Sequence, residues 1–163
     1  MTGAGITAGL YPAGKAGSDR AYVTLATNAD YAIGAAALMR SLKRSGTTAD
    51  LVVLHTDLPD AAIADLVALG VRMVRVNLLP TSREFNALHA RDRLHGAAPF
   101  DRGEKPPFHT PLDNFAKLRL WQLTEYEAVV FIDADALMLK NCDKLFAYPE
   151  FCAAPNVYES LAD

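Results

Sequence analysis

Cysteine is scarce: Cys142 and Cys152 are the only two in 163 residues. A small secreted scaffold held by disulfides needs more, so the sequence predicts two reduced thiols and a cytoplasmic protein. Long apolar runs are lacking as well. No stretch reaches the roughly 18 uninterrupted apolar residues of a membrane span. The first twenty residues are rich in Gly and Ala, and no basic start leads into an apolar block, so they do not read as a signal peptide. Positive charge is not in excess either. Lys and Arg together number 16 against 19 Asp and Glu, for a formal net charge of -3, which argues against a nucleic-acid binder with a basic stripe. There is no GxxxxGK[ST] loop, no GxGxxG turn after a strand and no GxSxG elbow. P-loop NTPases, dinucleotide dehydrogenases and serine hydrolases therefore lose their usual marks.

What is present is apolar material, 51% of the chain, enough for the core of one domain. Residues 1–20 read as a mobile leader. After it, Ala21 to Ala26 (AYVTLA) fits a buried strand. A helix follows, with Tyr31, Ala35, Leu38, Met39 and Leu42 on one face of a 3.6-residue period. Asn28 or Asp30 suits its start, and Lys43, Arg44 and Gly46 suit its end. Leu51 to His55 reads as a second buried strand. Asp60 to Leu69 reads as a helix with Ile63, Leu66 and Val67 inward, and Val71 to Val76 as a third strand. Such alternation predicts an α/β domain with parallel strands joined by right-handed crossovers.

Residues 77–112 interrupt the rhythm with five prolines and three histidines, as a long functional loop does. Within it, Ser82 to Leu94 has room for a short helix. Pattern returns at Asp113, with Phe115, Leu118, Leu120 and Trp121 as apolar positions of a helix ending near Thr124. Ala128 to Ile132 (AVVFI) is a fully apolar fourth strand. Beyond it come Leu137 to Leu139, a turn or short helix at Asn141 to Phe146, and a candidate strand at Phe151 to Ala154.

The strongest chemical signal is Asp133-Ala134-Asp135 at the end of that fourth strand. Residues two apart on extended backbone point the same way, so two carboxylates converge where open α/β sheets bind ligands. Side by side they repel unless a cation lies between them. Mg²⁺ and Mn²⁺ favour oxygen ligands of this kind, completed by substrate phosphates. A solvated acidic turn is the plainer reading of the three letters alone; their place after the most apolar strand weighs against it. Lys117, one helix earlier, offers a cation to phosphate oxygens, although alone it reads as a surface lysine. Thr27 and Asn28 open a helix, where backbone N–H groups favour anions and polar ligand edges but capping is the simpler role. His89, His95 and His109 match no zinc spacing. Arg83, Arg91, Arg93, Arg102 and Lys105 are balanced by neighbouring acids and read as solvated surface. Trp121 and Tyr126 read as core.

Two long stretches, AYVTLATNADYAIGA at 21–35 and DNFAKLRLWQLTEYEAVVFIDADALMLKNCDKLF at 113–146, with AAP at 153–155, resemble glycosyltransferase family 8, the glycogenin and galactinol synthase group. The resemblance covers nearly all of 21–155. It implies a GT-A fold with a Rossmann-like, mostly parallel sheet, and a hexosyltransferase that uses a UDP-sugar donor and Mn²⁺ (or Mg²⁺) and retains anomeric configuration. Carried over by position, Leu25, Ala26, Thr27, Asn28 and Tyr31 match the nucleoside-binding segment. Lys117 matches the residue that approaches the diphosphate, Ala134 lies against the ribose, and Asp133 and Asp135 match the metal ligands. The resemblance implies a carbohydrate or other hydroxyl acceptor, without saying which, and is compatible with a homodimer. The family continues past AAP into an Asn-Ser-Gly segment, a catalytic acidic residue and a further metal-binding His. None of these occurs here, so residues 21–163 are expected to be the nucleotide-sugar-binding part of a GT-A domain truncated at its C-terminus. Catalytic residues are expected beyond residue 163. Two alternatives stay open: a non-catalytic UDP-sugar-binding module or inactive fragment, and a phosphatase-like hydrolase using Asp133 as nucleophile and Asp135 as acid/base. Against the second, the motif comes late in the chain.

Overall fold

A computed structural model of the chain describes residues 6–7, 17–88 and 111–154. Its elements run β1 (Ile6–Thr7), β2 (Arg20–Ala26), α1 (Ala29–Arg44), β3 (Asp50–His55), α2 (Asp60–Ala68), β4 (Arg72–Val76), α3 (Arg83–Leu88), a 3-10 helix at Pro111–Gln122, β5 (Ala128–Phe131) and a short 3-10 helix at Asp143–Ala147. They form one five-stranded sheet in the order β1-β4-β3-β2-β5. The four longer strands are parallel, and β1 adds an antiparallel edge, with Ile6 opposite Val76. The sheet thus extends into the segment expected to be a leader. A parallel α/β sheet is what the alternating strands and helices predicted, and it is consistent with the Rossmann-like GT-A fold that the family resemblance implies.

Both faces of the sheet are covered, which is why β2 reads as a continuous apolar run. On one face Tyr22, Ala26 and Val53 pack against Ala35, Leu38, Met39 and Leu42 of α1 and Ile63 and Leu66 of α2. On the other, Ala21, Val23, Leu25, Val52 and Leu54 meet Ala116, Leu123 and Tyr126. Each large side chain fully removed from water contributes about 1.5–3 kcal/mol, so α1 is held by its apolar stripe more than by its own helix propensity. Asn28 caps that helix: its side-chain oxygen accepts from the Tyr31 N–H at 3.1 Å, and Lys43 and Arg44 sit in the last turn, where the dipole is negative.

Several expectations need correction. Val67 is 40% exposed, because the short α2 presents only Ile63 and Leu66 to the sheet. The helix before β5 is wound as 3-10. At three residues per turn side chains three apart line up, so Phe115, Leu118 and Trp121 share one face, and that face is exposed while Ala116 is buried. Trp121, read as core, is 52% exposed and meets the Phe151 ring at 6.1 Å. Tyr126 is buried as expected. β5 is half-buried along its length, since it occupies a sheet edge. Phe151 to Ala154 forms no strand. Of the Ser82 to Leu94 candidate helix, Arg83–Leu88 is helical. The three loop histidines, with Arg91, Arg93, Arg102 and Lys105, lie outside the described residues.

Polar clasps lock the two ends of the chain path. At the amino end of the sheet, the Tyr126 hydroxyl donates to Asp50 and accepts from Arg72, both at 3.0 Å. Past β5, Asp143 accepts from the hydroxyls of Thr47 at 2.6 Å and Tyr22 at 3.1 Å and from the Asn141 amide at 3.2 Å. Desolvation pushes the Asp143 carboxyl up, but these donors outweigh it and hold it below the usual carboxylate range. Burial, with Asp143 beside it, pushes the Tyr22 phenol well up. The Asp143→Ala variant leaves the Tyr22 and Thr47 hydroxyls without this acceptor. We expect it to lose about 1–3 kcal/mol of unfolding free energy, measured by urea denaturation at pH 7, with no loss if these contacts are idle.

Candidate donor-binding site

Parallel pairing brings the carboxyl ends of β2, β3 and β5 to one edge. β5 runs beside β2 with Val23 opposite Phe131, and the Ile132 N–H continues the ladder to the Val23 carbonyl at 2.9 Å. The next residues turn: the Ala136 N–H bonds the Asp133 carbonyl at 3.1 Å. Asp133 and Asp135 are exposed on either side of a buried Ala134. Both carboxylates are therefore left to solvent at the sheet edge while the residue between them anchors the turn.

Lys117 reaches this turn from the 3-10 helix. Its Nζ lies 3.1 Å from Asp133 Oδ1, with side-chain exposures of 36% and 66%, and 5.3 Å above the Phe131 ring. The ring's negative face favours a cation there, so the strand that carries the acids also helps seat the lysine. An ion pair this open contributes about 0–1 kcal/mol. It is weak enough to be exchanged for a ligand.

The segment expected to hold a nucleoside lies on the neighbouring strand. Leu25, 7% exposed, and Ala26 are buried on opposite faces of the sheet. Thr27, Asn28 and Tyr31 are partly exposed. The Thr56 hydroxyl at the end of β3 donates to the Thr27 carbonyl at 3.2 Å, and Asn28 caps α1. Thus the N-terminus of a sixteen-residue helix, its Tyr31 N–H capped by Asn28, lies at the same edge as the acids, a favourable place for an anionic ligand.

Three residues passed over in the sequence contribute here. Gly34 of α1 lies against the Ala134 backbone. Ser41 accepts from the Met138 N–H at 2.9 Å. His55, at the end of β3, is buried with no hydrogen-bond partner for Nδ1 among the described residues. A glycine inside a strongly periodic helix was the one available signal; nothing marked the other two.

With this geometry in hand, comparison with known proteins decides the lineage. A family model described as glycosyl transferase family 8 matches residues 22–153. The chain belongs to glycosyltransferase family 8. Among similar curated proteins, human glycogenin-2 is 37% identical over 150 residues, which cover 92% of this chain and 27% of that protein. A putative UDP-glucuronate:xylan alpha-glucuronosyltransferase 5 of Arabidopsis thaliana is 36% identical over 138 residues, 83% of this chain and 21% of the relative. Human glycogenin-1 is 37% identical over 139 residues, 85% of this chain and 35% of the relative. The chain thus spans about a fifth to a third of the length of these relatives. Family membership sets aside the phosphatase-like alternative. No described helix is long and apolar enough to cross a membrane, and both cysteines are free.

His55 gives this edge a pH dependence. Burial lowers its pKa first, Arg75 lowers it further, and Asp57 opposes them. A pKa below the unfolded value of 6.5 means stability that is present above pH 6.5 and lost as pH falls through the folded pKa. We expect Tm to drop over that range, and the drop to be smaller in His55→Gln by differential scanning fluorimetry. Identical slopes would show that His55 titrates freely in the fold.

Proposed function

We propose that the chain binds the donor of a retaining hexosyltransferase, a UDP-sugar, and presents it to an acceptor bearing a hydroxyl group. One observation supports the reading: Lys117 lies 3.1 Å from Asp133 in the turn after β5, and Ala134 of that turn packs on Gly34 of α1. A nucleoside seats on the Thr27-Asn28-Tyr31 corner, with backbone contacts from Leu25 and Ala26. Ala134 supports the ribose between the two acids.

Asp133 and Asp135 are the residues that would hold Mn²⁺ or Mg²⁺. Both are exposed, with Lys117 on one of them, so this chain offers the cation two carboxylates. That set fits a hard cation whose remaining ligands are phosphate oxygens and water. When bound, the cation neutralises charge on the departing diphosphate. The protein's own residues supply the rest. Lys117 exchanges Asp133 for a phosphate oxygen and keeps a positive charge on the leaving group. The N-terminus of α1 directs N–H groups toward the same anion.

Titration calorimetry with UDP tests the reading. Mn²⁺ should tighten UDP binding at least tenfold, about 1.4 kcal/mol, and Asp135→Ala should abolish that gain. Equal affinity with and without Mn²⁺ would reject the metal role. Metal-dependent release of sugar from a UDP-sugar would show turnover, whereas donor binding without release would leave a binding module.

A further inference from the structure

From Ala134 onward the chain follows α1 along its length. It touches the helix at Gly34 through Ala134, at Ser41 through the Met138 N–H (2.9 Å), and just past the helix end at Thr47 through Asp143 (2.6 Å). The first contact differs from the other two. A Cβ built on Gly34 would stand 2.6 Å from the Ala134 carbonyl oxygen and 3.3 Å from its carbonyl carbon. Both atoms are backbone and cannot swing aside as a side chain does. Gly34 also lies three residues after Tyr31, so one helical turn separates the nucleoside corner from the seat of the acidic turn.

The geometry points to Gly34 as a positioning residue: by lacking a side chain, it sets how closely Asp133 and Asp135 approach the nucleoside corner on the same helix. This rests on the donor-site reading above. α1 acts as a gauge between the two halves of the ligand, with its capped start at the nucleoside and its glycine under the metal-binding turn. Adding one methyl group pushes the turn outward and lengthens that gauge while the helix itself gains propensity, since Ala is a better helix former than Gly. A glycine kept only for helix packing would show the reverse priority, with stability changing and the acids staying in place.

Gly34→Ala separates these outcomes. In ¹H–¹⁵N spectra of the metal-free chain, the Ala134, Asp135 and Ala136 amide signals should move while those of β3 and β4 hold still. In calorimetry the gain in UDP affinity from Mn²⁺ should fall at least tenfold, with metal-free UDP affinity within twofold of the unsubstituted chain. Ser41→Ala frees Met138 without any clash; it should shift the same amides and reduce the same gain to a smaller extent, and it carries the test if Gly34→Ala does not fold. Ala37→Gly, on the exposed side of α1, should lower Tm and leave the gain unchanged. Unmoved Ala134–Ala136 signals, or a full Mn²⁺ gain in the folded Gly34 and Ser41 variants, would overturn the assignment. Absence of any Mn²⁺ gain in the unsubstituted chain would sink the donor-site reading alone, since the amide signals still decide whether Gly34 places the turn.

Discussion

Parallel pairing of β5 with β2 is the constraint on which the rest of the site depends. Four register pairs, from Arg20 opposite Ala128 to Val23 opposite Phe131, carry the chain to the sheet edge at one height. A slip of one residue would turn every side chain of β5 to the other face. It would also take the turn that carries Asp133 and Asp135 off its seat on Gly34 of α1. The register is held by the apolar faces of both strands and by the Ile132 N–H bond to Val23, so the core fixes the location of the acids without touching them.

A second consequence concerns charge. Asp133 and Asp135 are both exposed, and one of them already meets a cation in Lys117. Exposed carboxylates are well hydrated and an open ion pair adds only about 0–1 kcal/mol, so both acids stay available to a ligand. The Lys117 ammonium rests over Phe131 and stays partly exposed. The polar network at Asp50, Arg72 and Tyr126 lies at the opposite end of the strands. It serves stability, which leaves the carboxyl edge free for ligand binding.

Legibility in the sequence followed burial. β2, α1 and β3 were readable because two covered faces produce unbroken apolar runs and a covered helix produces a 3.6-residue stripe. The acidic pair was readable because it directly follows such a run. The 3-10 helix defeated the same logic: Phe115, Leu118 and Trp121 look like a buried stripe, but at three residues per turn they line up on a face left to solvent. β5 looked fully buried because its four residues are apolar, and only the sheet order reveals an edge. Gly34, Ser41 and His55 owe their roles to residues distant in sequence. Neither periodicity nor local spacing contains that information.

The central claim is that one cation binds between the carboxyl ends of β5 and β2 together with a diphosphate. Paramagnetic broadening by Mn²⁺ tests it most directly. In ¹H–¹⁵N spectra with UDP present, sub-stoichiometric Mn²⁺ should erase the amide signals of Asp133 to Ala136 first, then those of Thr27 to Tyr31. Signals from the amino ends of β3 and β4 should persist. Broadening centred elsewhere, such as around the exposed Asp57 and Asp60, with Asp133 to Ala136 spared, would contradict the account.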